Sequence, residues 1–125
     1  VQKMADFIKR GGVSVNRVVH SGKLRAQQTA DIISTTISNG TTEISHLINP
    51  GDAPDDFVDD IDNSNEALFV VGHLPFLSKL VSLLVTEYVD QDLLIYSPAS
   101  IACLQRDDNE CWRIHWMLKP ELLTD

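Results

Sequence analysis

Two residues of this 125-residue chain have the chemistry to hold a phosphoryl group, Arg25 and His73. A guanidinium presents a planar fork to two phosphate oxygens, and an imidazole supplies a donor or a titratable group near neutral pH. Their settings are alike. Arg17-Val18-Val19-His20 reads as a short strand, Ser21-Gly22 as a turn, and a helical pattern follows with Arg25 in its first turn. Ala67-Leu68-Phe69-Val70-Val71 is an unbroken apolar run that reads as a strand buried on both faces; Gly72 ends it, His73 follows, and Pro75 can open a helix at its first position. Helix N-termini at the carboxyl ends of parallel strands offer free N–H groups and positive potential, which suit an anion. If both strands belong to one parallel sheet, Arg25 and His73 share an edge. Each also has a plainer reading, Arg25 as a solvated first-turn arginine and His73 as a helix-start histidine satisfied by backbone.

The rest of the chain supplies the scaffold. Val1, Met4, Ala5 and Ile8 recur at helical spacing, so residues 1–10 form an amphipathic helix that Gly11-Gly12 stops. A second helix runs from about Lys23 to Ile37, with Leu24, Ala26, Ala30, Ile33 and Ile37 as its inner face. Glu43 to Ile48 reads as a short strand and Asn49 to Pro54 as a loop with strong turn chemistry. Pro54 opens a helix that carries Phe57, Val58 and Ile61 inward and is broken by Asn63-Ser64-Asn65. Beyond Pro75, Phe76, Leu77, Leu80, Val81, Leu83 and Leu84 mark another helix. Leu93 to Tyr96 suggests an edge strand. Ser100 to Arg106 and Cys111 to Leu118 form a β-hairpin around Asp107-Asp108-Asn109, with Trp112, Ile114, Trp116 and Leu118 on one buried face. This order predicts a single α/β domain over residues 1–125, with a mostly parallel sheet flanked by helices and an antiparallel C-terminal hairpin.

Composition narrows the partners. Ten Lys and Arg stand against 18 Asp and Glu, a net charge of −8, which argues against nucleic acid or an anionic membrane as a non-specific partner. A local cluster of donors still binds a phosphate inside an acidic protein. Cys103 and Cys111 fall in one hairpin and read as reduced thiols of a cytoplasmic protein.

At the two candidate sites the sequence resembles a family. His20-Ser21-Gly22-Lys23-Leu24-Arg25-Ala26-Gln27-Gln28-Thr29-Ala30 looks like the second signature of the histidine phosphatase superfamily, and Val70-Val71-Gly72-His73-Leu74-Pro75-Phe76-Leu77 looks like its late histidine signature. The wording is most similar to the SixA-type phosphohistidine phosphatases, and the loop Asn49–Pro54 and the closing hairpin through Trp116 and Pro120 fit that branch. The resemblance implies a phosphoglycerate mutase-like fold. It also implies a phosphate pocket of two arginines and two histidines, with Arg25 as the second arginine, His73 as the second histidine and Ser21 at the pocket edge. It requires no metal and no cofactor.

The family's nucleophile is a histidine in an Arg-His-Gly triplet on a first strand. None of the four histidines of this chain has that setting, and Arg10-Gly11 ends a helix. The chain therefore looks like a member without its N-terminal segment. The resemblance implies a phosphohistidine phosphatase acting through a covalent phosphohistidine, with these 125 residues inactive alone. The alternatives are a phosphate- or phosphoprotein-binding module that has lost the nucleophile, and a fragment with neither role. Expected partners are a phosphorylated protein, a phosphohistidine-bearing phosphorelay domain or a small phosphate ester. The resemblance also places the triplet strand between the strands ending at His20 and Gly72. Those strands must then pair directly or leave a gap that weakens the fold and invites association.

Other polar residues are weaker candidates. His20 reads as structural or peripheral, and His46 and His115 lack ligand partners at metal spacing. Asp52 is a proton donor or a turn former, and Lys23 adds positive potential or is solvated. Asp55, Asp56, Asp59 and Asp60 read as a solvated helix face.

Overall fold

A computed structural model describes residues 1–62, 64–94 and 97–123. Helix α1 spans Gln2–Arg10, strand β1 Arg17–His20, α2 Leu24–Ile37, β2 Glu43–Ile44, α3 Asp55–Asp62, β3 Leu68–Val71 and α4 Phe76–Thr86. Strands β4 (Ile101–Arg106) and β5 (Trp112–Leu118) follow, then a 3₁₀ turn over Pro120–Leu122. The first three strands form a parallel sheet in the order β2-β1-β3, and β4 and β5 form a separate antiparallel pair. The expected class, a mostly parallel sheet with helices and an antiparallel hairpin, is the one observed.

Strand β1 is the middle strand, and its alternating side chains divide the core. Val18 packs with Ala5, Ile8, Ala30, Ile33 and Ile37 on the α1 and α2 face. Val19 packs with Ile48, Phe57, Phe76 and Leu80 on the α3 and α4 face. The rings of Phe57 and Phe76 meet edge to face, 6.1 Å between centroids at 75°.

Strands β1 and β3 pair in parallel over their whole length, from Arg17 opposite Leu68 to His20 opposite Val71. There is no gap between them: of the two expected alternatives, direct pairing is the one observed. The strand Leu68–Val71 packs on both faces, Phe69 and Val71 with the α1/α2 cluster and Leu68 and Val70 with the α3/α4 cluster, but less deeply than expected. All four residues are half-buried, because β3 pairs with β1 on one side and with no described strand on the other.

Smaller differences have local causes. Leu24 is 68% exposed, because it lies about 200° around the helix from Ala26 and so off the stripe of Ala26, Ala30, Ile33 and Ile37. Val1 is exposed before the first turn of α1. Strand β2 stops at Ile44; the Ser45 hydroxyl accepts the Leu47 N–H, and the chain turns away, with Ile48 buried as a loop residue. Pro75 precedes α4 as its N-cap instead of occupying its first position, and the Leu74–Pro75 peptide is cis. No strand forms over Leu93 and Leu94, and Ile95 and Tyr96 of that expected strand lie outside the described residues, as does Asn63.

In the hairpin, His115 is an extra residue between the pairs Leu104–Ile114 and Cys103–Trp116. Trp116, Leu118 and Ile101 reach the α1/α2 cluster, but Ile114 is exposed, so the alternation of β5 is not buried throughout. Both cysteines are free. Among the described residues no helix is long and apolar enough to cross a membrane.

Candidate functional site

The parallel pairing of β1 and β3 brings their carboxyl ends level, His20 opposite Val71. The turns that follow put Ser21 and His73 in contact. The Ser21 hydroxyl lies 2.7 Å from His73 Nε2, although the residues are 52 positions apart. Ser21 is buried at 7% exposure, and His73 is half-buried.

The turn is held from below by His20, which is buried at 2% exposure. The Gly22 N–H donates to His20 Nδ1 at 3.0 Å, and His20 Nε2 lies 3.4 Å from the Thr42 hydroxyl. Nδ1 is thus an acceptor, and the ring carries its proton on Nε2. Gly22 sits at φ +86°, a left-handed conformation that disfavours other residues. The Lys23 N–H points to the Ser21 hydroxyl at 3.5 Å, and α2 begins at Leu24. On the other strand, Gly72 allows a close approach: a Cβ there would stand 3.2 Å from Leu77 Cδ2.

Electrostatics keep His73 neutral. Burial lowers its pKa below the usual 6.5, and the charge of Lys23 lowers it further. Arg25 lies exposed in the first turn of α2, at the same sheet edge, and makes no ion pair with any described residue. The edge therefore combines two helix N-termini, an unpaired guanidinium, a lysine and a neutral histidine bonded to a buried serine. That set suits a tetrahedral oxyanion. Among the described residues no cluster of His, Cys, Asp and Glu could hold a metal.

The other candidates take structural places. His20 positions the turn. Asp52 accepts the Asn49 N–H at 2.9 Å and donates its own N–H back to the Asn49 carbonyl, so it shapes its loop. His46 and His115 are exposed, and so are Asp55, Asp56, Asp59 and Asp60. A cavity of about 280 Å³ lies beneath α3, lined by Arg17, Glu43, His46, Phe57, Asp60 and Leu68. Its arginine is held by Glu43 at 2.9 Å, which leaves it poorly suited to an anion.

The hydrogen bond between Ser21 and His73 is the feature that residue types alone do not reveal, since no local pattern links positions so far apart. Three residues around this edge are apolar and open to solvent: Leu24, Leu74 at 50% and Ile44 at 57% exposure.

No family model and no curated protein matches the sequence. Among solved structures, that of the protein histidine phosphatase SixA complexed with tungstate is similar, with a TM-score of 0.80 over 95% of this chain and 78% of that one, at 22% identity. The likeness shows the fold: this chain shares the fold of that structure.

Proposed function

We propose that this chain holds the phosphoryl group in a phosphohistidine phosphatase of the SixA type, with Arg25 and His73 as its anion-binding residues and Ser21 beside them. The contact between Ser21 and His73 at the carboxyl ends of β1 and β3 carries the reading, because the two signature stretches meet there. The fold's bound example supports it: the neighbouring SixA structure is a complex with tungstate, a tetrahedral oxyanion like phosphate.

In the proposed reaction a histidine outside these 125 residues attacks phosphorus, and the leaving group departs with the P–O or P–N bond pair. Water then hydrolyses the covalent phosphohistidine. Arg25 grips two non-bridging oxygens, and His73 donates a hydrogen bond to the charge that develops on the transferring group. Arg25 and His73 bind and orient; neither can replace the nucleophile. The exposed apolar rim of Leu24, Ile44 and Leu74 favours a phosphorylated protein over a small phosphate ester, since such a rim suits a macromolecular contact. A phosphohistidine-bearing phosphorelay domain is the partner of that kind which the family resemblance implies.

A second reading is a phosphoprotein-binding module, favoured by the lack of an Arg-His-Gly triplet in the 125 residues. Both readings predict that these residues alone bind phosphate without turning over a phosphohistidine peptide. In an NMR titration, phosphate should shift resonances around Arg25 and His73. Arg25→Ala should abolish the shifts, and Arg25→Lys should restore little, because an ammonium lacks the bidentate fork. Identical shifts in wild type and Arg25→Ala would refute the site. Turnover lost on His73→Ala would refute the claim that the nucleophile lies elsewhere.

A further inference from the structure

We propose that Ser21 fixes His73 as the Nδ1–H tautomer, so that Nδ1–H is the donor the ring offers to a bound oxyanion. The inference deepens the reading of this edge as an anion site and rests on it for its functional meaning, but the tautomer itself rests on geometry alone.

The Ser21 hydroxyl has one proton to give. It is buried, and it lies 2.7 Å from His73 Nε2. The Lys23 N–H, 3.5 Å away, already directs a donor at the same oxygen. Were Nε2 protonated, the hydroxyl would face two donors and its own proton would have no acceptor among the described residues. A buried donor without a partner is a rare arrangement. With Ser21 donating to Nε2, both the hydroxyl and Nε2 are satisfied, and the ring proton of neutral His73 must reside on Nδ1. That nitrogen has no hydrogen-bond partner among the described residues, which leaves it available to a ligand.

His20 provides an internal contrast. Its Nδ1 accepts the Gly22 N–H, so it is held in the opposite tautomer, Nε2–H. Two histidines at the ends of neighbouring strands are thus locked in opposite senses by two turn residues one position apart. Among charged groups, Lys23 acts on His73 and disfavours a second ring proton, and Arg25 stands in the first turn of α2 just beyond it. Neither accepts a hydrogen bond, so neither competes with Ser21 for the choice of tautomer. Ser21 acts through His73 and is a positioning residue.

The test is a two-bond ¹H–¹⁵N spectrum of the protein labelled in its imidazole nitrogens, at pH 8. Wild type should show His73 with a protonated Nδ1 and bare Nε2, and His20 with the reverse. In Ser21→Ala, His73 should move towards Nε2–H while His20 keeps its pattern, which also reports that the fold is intact. Ser21→Thr, which retains the hydroxyl, should restore the wild-type pattern. Tungstate affinity should fall roughly threefold to tenfold in Ser21→Ala, the loss of one oriented hydrogen bond. Wild-type His73 found as Nε2–H would overturn the proposal, whatever the variants do. So would a Ser21→Ala spectrum with the His73 tautomer unchanged. If the tautomers are as stated but tungstate moves no resonance of wild type, the anion site fails and the tautomer assignment stands.

Discussion

Gly22→Ala tests whether the turn after β1 builds the site or merely connects two elements. Gly22 has φ +86°, and Gly40, after α2, has φ +85°. An L-residue in the left-handed region costs about 1–2 kcal/mol, while replacing glycine recovers about 0.4–1 kcal/mol through the unfolded chain. Each alanine variant should therefore lose up to about 1.6 kcal/mol, a fall in melting temperature of up to roughly 8 °C. The new Cβ adds little at either place. At Gly22 it stands 3.4 Å from Cγ2 of Ile44, an exposed side chain free to yield, and at Gly40 nothing lies within 4 Å.

The two variants should part at the site. Relaxation of the Gly22 backbone pulls its N–H from His20 Nδ1 and shifts Ser21 against His73. The loss of one or two hydrogen bonds predicts an oxyanion affinity lower by roughly 5- to 30-fold in Gly22→Ala, with none lost in Gly40→Ala. Calorimetry for stability and an NMR titration with phosphate for binding read both quantities. Equal affinities in the two variants, at equal stability loss, would refute the argument that this turn positions Ser21 and His73.

Two further outcomes follow from the core and the charges. Phe57→Ala should cost about 3–5 kcal/mol, because it opens a cavity against Phe76 and Val19 in the α3/α4 cluster; Leu24→Ala, at an exposed site, should change the urea midpoint little. The pKa of His73 is lowered in the folded protein, so the unfolded chain binds that proton first. Its effect on stability is absent above 6.5 and grows unfavourable as pH falls below 6.5 towards the folded value, a slope that His73→Asn should remove from denaturation curves. Sulfate, dianionic throughout, should bind more tightly as pH falls through the same window, since an anion favours protonated His73; an affinity flat with pH would separate sulfate from His73.

Much of the scaffold was legible in the sequence because its signals are local. Helical spacing marked α1, α2 and α4, alternation and turn residues marked the hairpin, and the twin strand–turn–helix units placed Arg25 and His73 at one edge. What escaped depends on distant residues. The apolar run of β3 reads like a middle strand, yet its burial is decided by which strands flank it, and among the described residues it pairs on one side alone. Glu43 to Ile48 has apolar residues at strand spacing, but Ile48 finds its place in the core from a loop. The contact between Ser21 and His73 joins two turns, and only the family resemblance put Ser21 near the pocket. The acceptor role of His20 Nδ1 depends on the Gly22 backbone, which residue types do not report.

The central claim is that Arg25 and His73 hold one tetrahedral oxyanion at the carboxyl edge of the sheet. Crystals of the protein soaked with tungstate test it directly, because tungsten scatters anomalously and its position can be mapped without assumption. A single peak within hydrogen-bonding distance of the Arg25 guanidinium and a His73 ring nitrogen is the predicted result. A peak in the cavity beside Arg17 instead, or no peak at the edge of β1 and β3 under saturating tungstate, would contradict it.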